Sequence, residues 1–94
     1  MLEWFDLKAG DYVKVVFKTK KVEVVCKVKK VYSDYVICFD ADANFVWLFA
    51  SGVGSYFPEA DFTTPPSAPG KNSIERKKYK LFKSTESQFN IGVI

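Results

Sequence analysis

The stretch from Asp11 to Ala50 constrains the fold more than any other. It contains four strand-like runs, DYVKVVFK, VEVVCKVKKVY, YVICFD and FVWLFA, joined by connections of two to five residues. Connections this short cannot carry the crossover that a parallel pair needs, so the runs must pair antiparallel in sequence order. The chain is therefore expected to be all-β, a small antiparallel barrel of five to six strands.

The register is set first at Ser33-Asp34, which reads as a two-residue hairpin loop between Tyr32 and Tyr35. Stepping outward pairs Lys30 with Ile37, Lys29 with Cys38, Val28 with Phe39 and Lys27 with Asp40. Because side chains alternate along a strand, Val24, Cys26, Val28 and Tyr32 then share a face with Tyr35, Ile37 and Phe39. A five-residue loop, Asp40 to Asn44, extends that face to Phe45, Trp47 and Phe49, and this aromatic face is taken as the core. The opposite face carries Val31, Val36, Cys38, Val46 and Leu48. A solvated sheet face should be polar, so either another part of the chain covers these five residues or they form an interface with a partner. The first strand joins the core through Val13, Val15 and Phe17 if its connection to the second is even in length. An odd connection would place them opposite Glu23, Val25 and Lys27 and bury charge.

Ahead of this meander, Leu2, Trp4, Phe5 and Leu7 fit a short helical turn or an irregular arm closing one end of the sheet, and Gly10 supplies a turn before the first strand. The phrase LKAGDYVKVVF, together with the strand order, resembles the opening of SH3-like and Sm-like small barrels. That resemblance covers about a dozen residues and implies a fold only. Beyond Ala50, Ser51-Gly52-Val53-Gly54-Ser55 reads as a glycine turn, with an anion-binding backbone nest as the alternative. Tyr56-Phe57-Pro58 returns toward the core. The segment 63–73, TTPPSAPGKNS, is a Pro-rich linker or long loop. Glu75 to Ser84 reads as a strand and Gln88 to Ile94 as a last strand, while Asn72-Ser73-Ile74-Glu75 matches a capping pattern that would allow one helical turn.

At 94 residues the chain is expected to form one domain, 1–94. No apolar run approaches the ~20 residues that span a bilayer, and MLEWFDLKAGD lacks a basic start and an apolar signal core, so a cytoplasmic protein without membrane contact is expected. Cys26 and Cys38 fall on opposite faces in the register above, which argues against a bridge between them. The sequence contains no histidine, which removes serine–histidine and cysteine–histidine chemistry and leaves too few ligands for a structural zinc. Asp40 with Asp42, and Glu59 with Asp61, sit in turn-like segments and read as solvated carboxylates. No enzyme activity, metal or cofactor is expected.

Charge is strongly segregated. Lys14 to Lys30 holds seven lysines and one glutamate, Val31 to Gly70 five acids and no base, and Lys71 to Lys83 six bases and one acid. Two functions follow as expectations. One is a protein-interaction module, a subunit, adaptor or inhibitor, docking on another protein or on itself through Val31, Val36, Cys38, Val46 and Leu48. The other is a small barrel that binds single-stranded nucleic acid or a nucleotide through Lys27, Lys29, Lys30, Arg76, Lys77, Lys78 and Lys80, with Tyr79 as a stacking ring.

Overall fold

The computed structural model describes residues 2–18, 22–57 and 74–91. Six strands, β1 (Tyr12–Phe17), β2 (Val22–Val31), β3 (Tyr35–Phe39), β4 (Phe45–Phe49), β5 (Val53–Tyr56) and β6 (Ile74–Lys83), close into an antiparallel barrel in sequence order. The expected all-β small barrel is thus the fold, consistent at fold level with the SH3-like and Sm-like resemblance. A 3₁₀ turn, Trp4–Asp6, precedes the barrel and a short helix, α1 (Glu86–Ile91), follows it. Among the described residues no helix is long and apolar enough to cross a membrane. The segment 63–73 lies outside the described residues.

The Ser33-Asp34 hairpin forms as the spacing dictates. The Tyr32 amide donates to the Tyr35 carbonyl at 2.8 Å, and Lys30 pairs with Ile37 and Val31 with Val36. Beyond Lys30 the expected ladder fails. A β-bulge between Val28 and Lys30 makes Lys29 an extra residue, so Val28 pairs with Cys38 and Lys27 with Phe39. One inserted residue exchanges the faces of everything beyond it.

The core is consequently the reverse of the expected one along β3 and β4. Val36, Cys38, Val46 and Leu48 are fully enclosed, together with Val13, Val15, Phe17, Val24, Cys26, Val28 and Leu81. Tyr35, Ile37, Phe39, Phe45, Trp47 and Phe49 lie on the outside and are half-buried. Volume explains the choice: Phe17, Leu48 and Leu81 already occupy much of a narrow six-stranded interior that Val and Cys complete, whereas six large side chains from β3 and β4 would overfill it. The first strand behaves as expected, with Val15 opposite Val24 and Val13 opposite Cys26.

Where the sequence indicates only a glycine turn and a return to the core, the chain forms β5. It pairs with β4 so closely that a Cβ at Gly54 would stand 2.9 Å from the Trp47 carbonyl oxygen. The glycine that resembled a loop residue is therefore a contact residue inside a strand. Gly52, with φ of +91°, makes the actual turn, its amide donating to the Phe49 carbonyl.

The expected last strand is a helix over its described part. Thr85 caps it: its Oγ1 accepts from the Gln88 amide at 3.2 Å, and its carbonyl accepts from the Phe89 amide. Thr85-Glu86-Ser87-Gln88 carries the spacing of a helix start. The alternative start at Asn72-Ser73-Ile74-Glu75 does not make a helix at Ile74 and Glu75, which begin β6. Phe89 docks α1 on the barrel, with ring centroids 5.5 Å from Tyr12 and 5.8 Å from Phe39. At the N-terminal side Leu2 bridges to Leu81, and Leu7 enters the core.

Candidate binding face

The strand register lays the outer face of β2, β3 and β4 out in rows. Lys27, Phe39 and Phe45 form one row, Lys30, Ile37, Trp47 and Ser55 the next, and Tyr35 and Phe49 the third. No carboxylate stands in these rows; Asp34 lies in the turn at one end, Asp40 and Asp42 at the other. The rings touch each other. Tyr32 stacks on Tyr35 at 4.5 Å, Tyr35 lies 6.2 Å from Phe49, Phe45 5.9 Å from Trp47, and Trp47 meets Phe57 edge-on at 5.8 Å.

Cations border this belt on both sides. From β2, the Lys29 Nζ stands 5.0 Å from the Phe45 centroid and the Lys30 Nζ 5.1 Å from that of Tyr32. From β6, the Arg76 guanidinium lies 5.2 Å from the centroid of Phe49. The Lys29 bulge that turns the aliphatic residues inward also sets consecutive exposed lysines at this border. Lys27 sits over Tyr12 at 5.5 Å, beside the docked Phe89. Such pairs are worth about 0.5–1 kcal/mol at exposed sites; they hold the side chains against the rings without neutralising them.

The sequence-derived candidates divide accordingly. Of the five interface residues, Val36, Cys38, Val46 and Leu48 are inside the barrel and only Val31, 40% exposed, reaches the surface. Of the basic set, Lys27, Lys29, Lys30 and Arg76 stand at rings, while Lys77, Lys78 and Lys80 are exposed along β6, paired with Gly54, Val53 and Val16. The β2 lysines are separated from all the β6 cations, Arg76 included, by β1 on one side of the barrel and by β3, β4 and β5 on the other. Tyr79 is not an exposed stacking ring. It packs against the core, its hydroxyl donates to the Phe49 carbonyl at 3.1 Å, and burial pushes its pKa up to about 12. The rings on the outer face, Tyr35, Trp47 and Phe49, belong to the face that simple alternation assigns to the core; the clue to their true position is Lys30, which the unbulged register places among them.

Asp40 fixes the end of the belt. It does not pair with Lys27. Its carboxylate accepts from the Asp42 and Asn44 amides, both at 2.9 Å, from Asn44 Nδ2 at 3.2 Å and from the Tyr56 hydroxyl at 2.8 Å. Only 8% exposed, it ties the β3–β4 turn to β5. Burial first, and the Asp40 hydrogen bond second, raise the Tyr56 pKa well above that of a free phenol.

The two thiols face the interior together, because the bulge brings Cys38 to the face of Cys26; both are free. Burial raises both, Cys38 to about 12, so neither supplies a thiolate near neutral pH. Among the described residues no three His, Cys, Asp or Glu side chains gather where they could hold a metal ion. Two open clefts beside the 3₁₀ turn, about 390 and 470 Å³, are lined by residues other than those of the aromatic belt. No protein-family model, no curated protein and no solved structure matches this chain.

Proposed function

We propose that the protein is a non-enzymatic binding module that seats single-stranded nucleic acid, or a shorter nucleotide, on the outer face of β2, β3 and β4. One observation carries this: cations from β2 and β6 stand over the rings that border the face, Lys29 at Phe45, Lys30 at Tyr32 and Arg76 at Phe49. Half-exposed rings offer stacking surface worth about 1–3 kcal/mol per base, and adjacent cations meet the phosphates. The ligand's own backbone supplies the charge that the face lacks. Such a module needs no cofactor. The test is fluorescence titration of short single strands and duplexes at several salt concentrations. Single strands should bind more tightly, with a log–log salt slope of about −0.7 per phosphate contact. Replacing Lys29 and Lys30 by Gln should flatten the slope, and Trp47→Ala should weaken affinity without changing it. Absence of binding at low salt would remove the proposal.

A protein partner, or a second copy of the chain, is the other reading, now on the outer face. Ile37 and Trp47, side by side at its centre, favour it, since an aliphatic residue gives a base no ring to stack on and interfaces draw on aromatic anchors. Native mass measured together with the 260/280 nm absorbance ratio separates the two. A dimer without nucleic acid, converted to monomer by Trp47→Lys, supports this reading over the first.

A further inference from the structure

Arg76 is held in a conformation that its residue type disfavours. Its φ is +42°, and Ala43 is the only other non-glycine residue with positive φ among those described. The cause is a second bulge. Tyr56 pairs with Ile74 and Gly54 with Lys77, so Glu75 and Arg76 together oppose the single residue Ser55. Ser55 is buried, and its Oγ accepts the Arg76 amide at 3.1 Å. Left-handed backbone at a residue with a Cβ is strained and persists where the surroundings over-determine it, and bulges of this kind re-aim a side chain. Here the re-aimed group is the guanidinium that lies on Phe49.

Phe49 is one end of a ladder. Its ring adjoins Tyr35, Tyr35 stacks on Tyr32, and Tyr32 lies under Lys30. Three rings thus run across the strands with a cation at each end. Resting on the binding face proposed above, we infer that Arg76 is the residue that positions a ligand phosphate, and that the ligand lies across β3 and β4 along this ladder rather than along either strand. The planar fork of Arg76 can engage two phosphate oxygens at once while its face rests on Phe49, which an ammonium cannot reproduce. Lys30 then meets a second phosphate at the other end as a point charge.

The test compares Arg76→Lys, Arg76→Gly and Lys77→Gln in the full chain. The probes are short fluorescein-labelled oligothymidylate and oligouridylate, and thermal unfolding is measured in parallel. Arg76→Lys keeps the charge and should still lose about tenfold in affinity, the equivalent of one charge-assisted hydrogen bond. Arg76→Gly should lose at least as much while keeping or raising Tm, because glycine adopts the positive φ without strain. Lys77→Gln should change affinity less than twofold. Wild-type binding with Arg76→Lys unchanged, or an equal loss in Lys77→Gln, overturns the assignment of Arg76 and leaves the binding face standing. Failure of the wild type to bind either probe at low salt overturns both.

Discussion

The β3–β4 hairpin has two apolar faces of different size and burial. The inner one, Val36, Cys38, Val46 and Leu48, is small-chained and shows no exposure. The outer one, Tyr35, Ile37, Phe39, Phe45, Trp47 and Phe49, is bulky and half-buried. Hydrophobicity does not distinguish them; volume does. On this hairpin the smaller side chains pack into a narrow interior that Phe17 and Tyr56 already share, and the large rings stay outside, partly exposed.

The sharpest way to break this comparison is to shift the alternation on which it rests. Inserting one residue between Trp47 and Leu48 forces either Val46 or Leu48 onto the wrong face, so cooperative thermal unfolding should vanish; retention of a wild-type transition would mean that β4 re-registers freely and the two faces are interchangeable. Next in size is the pair of alanine replacements. Leu48→Ala should cost about 2–5 kcal/mol in urea unfolding, as a cavity in a closed core does. Trp47→Ala, beside it in sequence but outside, should cost about 1–2 kcal/mol despite losing the larger side chain. Equal costs would erase the difference between the faces.

Asp40→Ala should follow, at about 1–3 kcal/mol, since it strands the buried Tyr56 hydroxyl along with the turn amides. Tyr56→Phe should cost less, because the carboxylate keeps its other three donors. A change at the turn that left stability untouched would show that the belt's end is not pinned there.

Alkali probes the interior in the same order. Cys26, Cys38, Tyr56 and Tyr79 all have folded pKa values raised above their ordinary 9.0 for thiols and 10.0 for phenols, first of all by burial. Above those ordinary values the unfolded chain binds fewer protons than the folded one, so stability is whole below about pH 9 and falls as pH rises toward 12. Tm should drop by roughly 5 °C or more between pH 8.5 and 11, with Tyr79→Phe softening the fall. A flat profile would mean that these groups are reached by water. Smallest of all, Lys29→Ala should shift unfolding by no more than about 0.5 kcal/mol.

Much of this was legible in the residues alone. The short connections required an antiparallel meander, the two-residue Ser33-Asp34 loop fixed the first pairs of β2 with β3, and the even spacing of Val13, Val15 and Phe17 put them inside. The basic segments flanking an acidic middle were equally plain. The Thr85-x-x-Gln88 helix start was present too, but it was masked by the alternating look of the residues around it.

What tertiary structure alone decided is which face of the hairpin closes on itself. Alternation along a strand relates neighbouring side chains to each other but carries no absolute sense of inside. That sense arises only when the sheet curls, and the bulges at Lys29 and opposite Ser55 are where the curl is accommodated. A bulge has no residue type of its own; its energy comes from the packing it permits on both sides. The same closure sets Arg76 against Phe49 and leaves Lys77 away from the rings, although the two are adjacent in the chain.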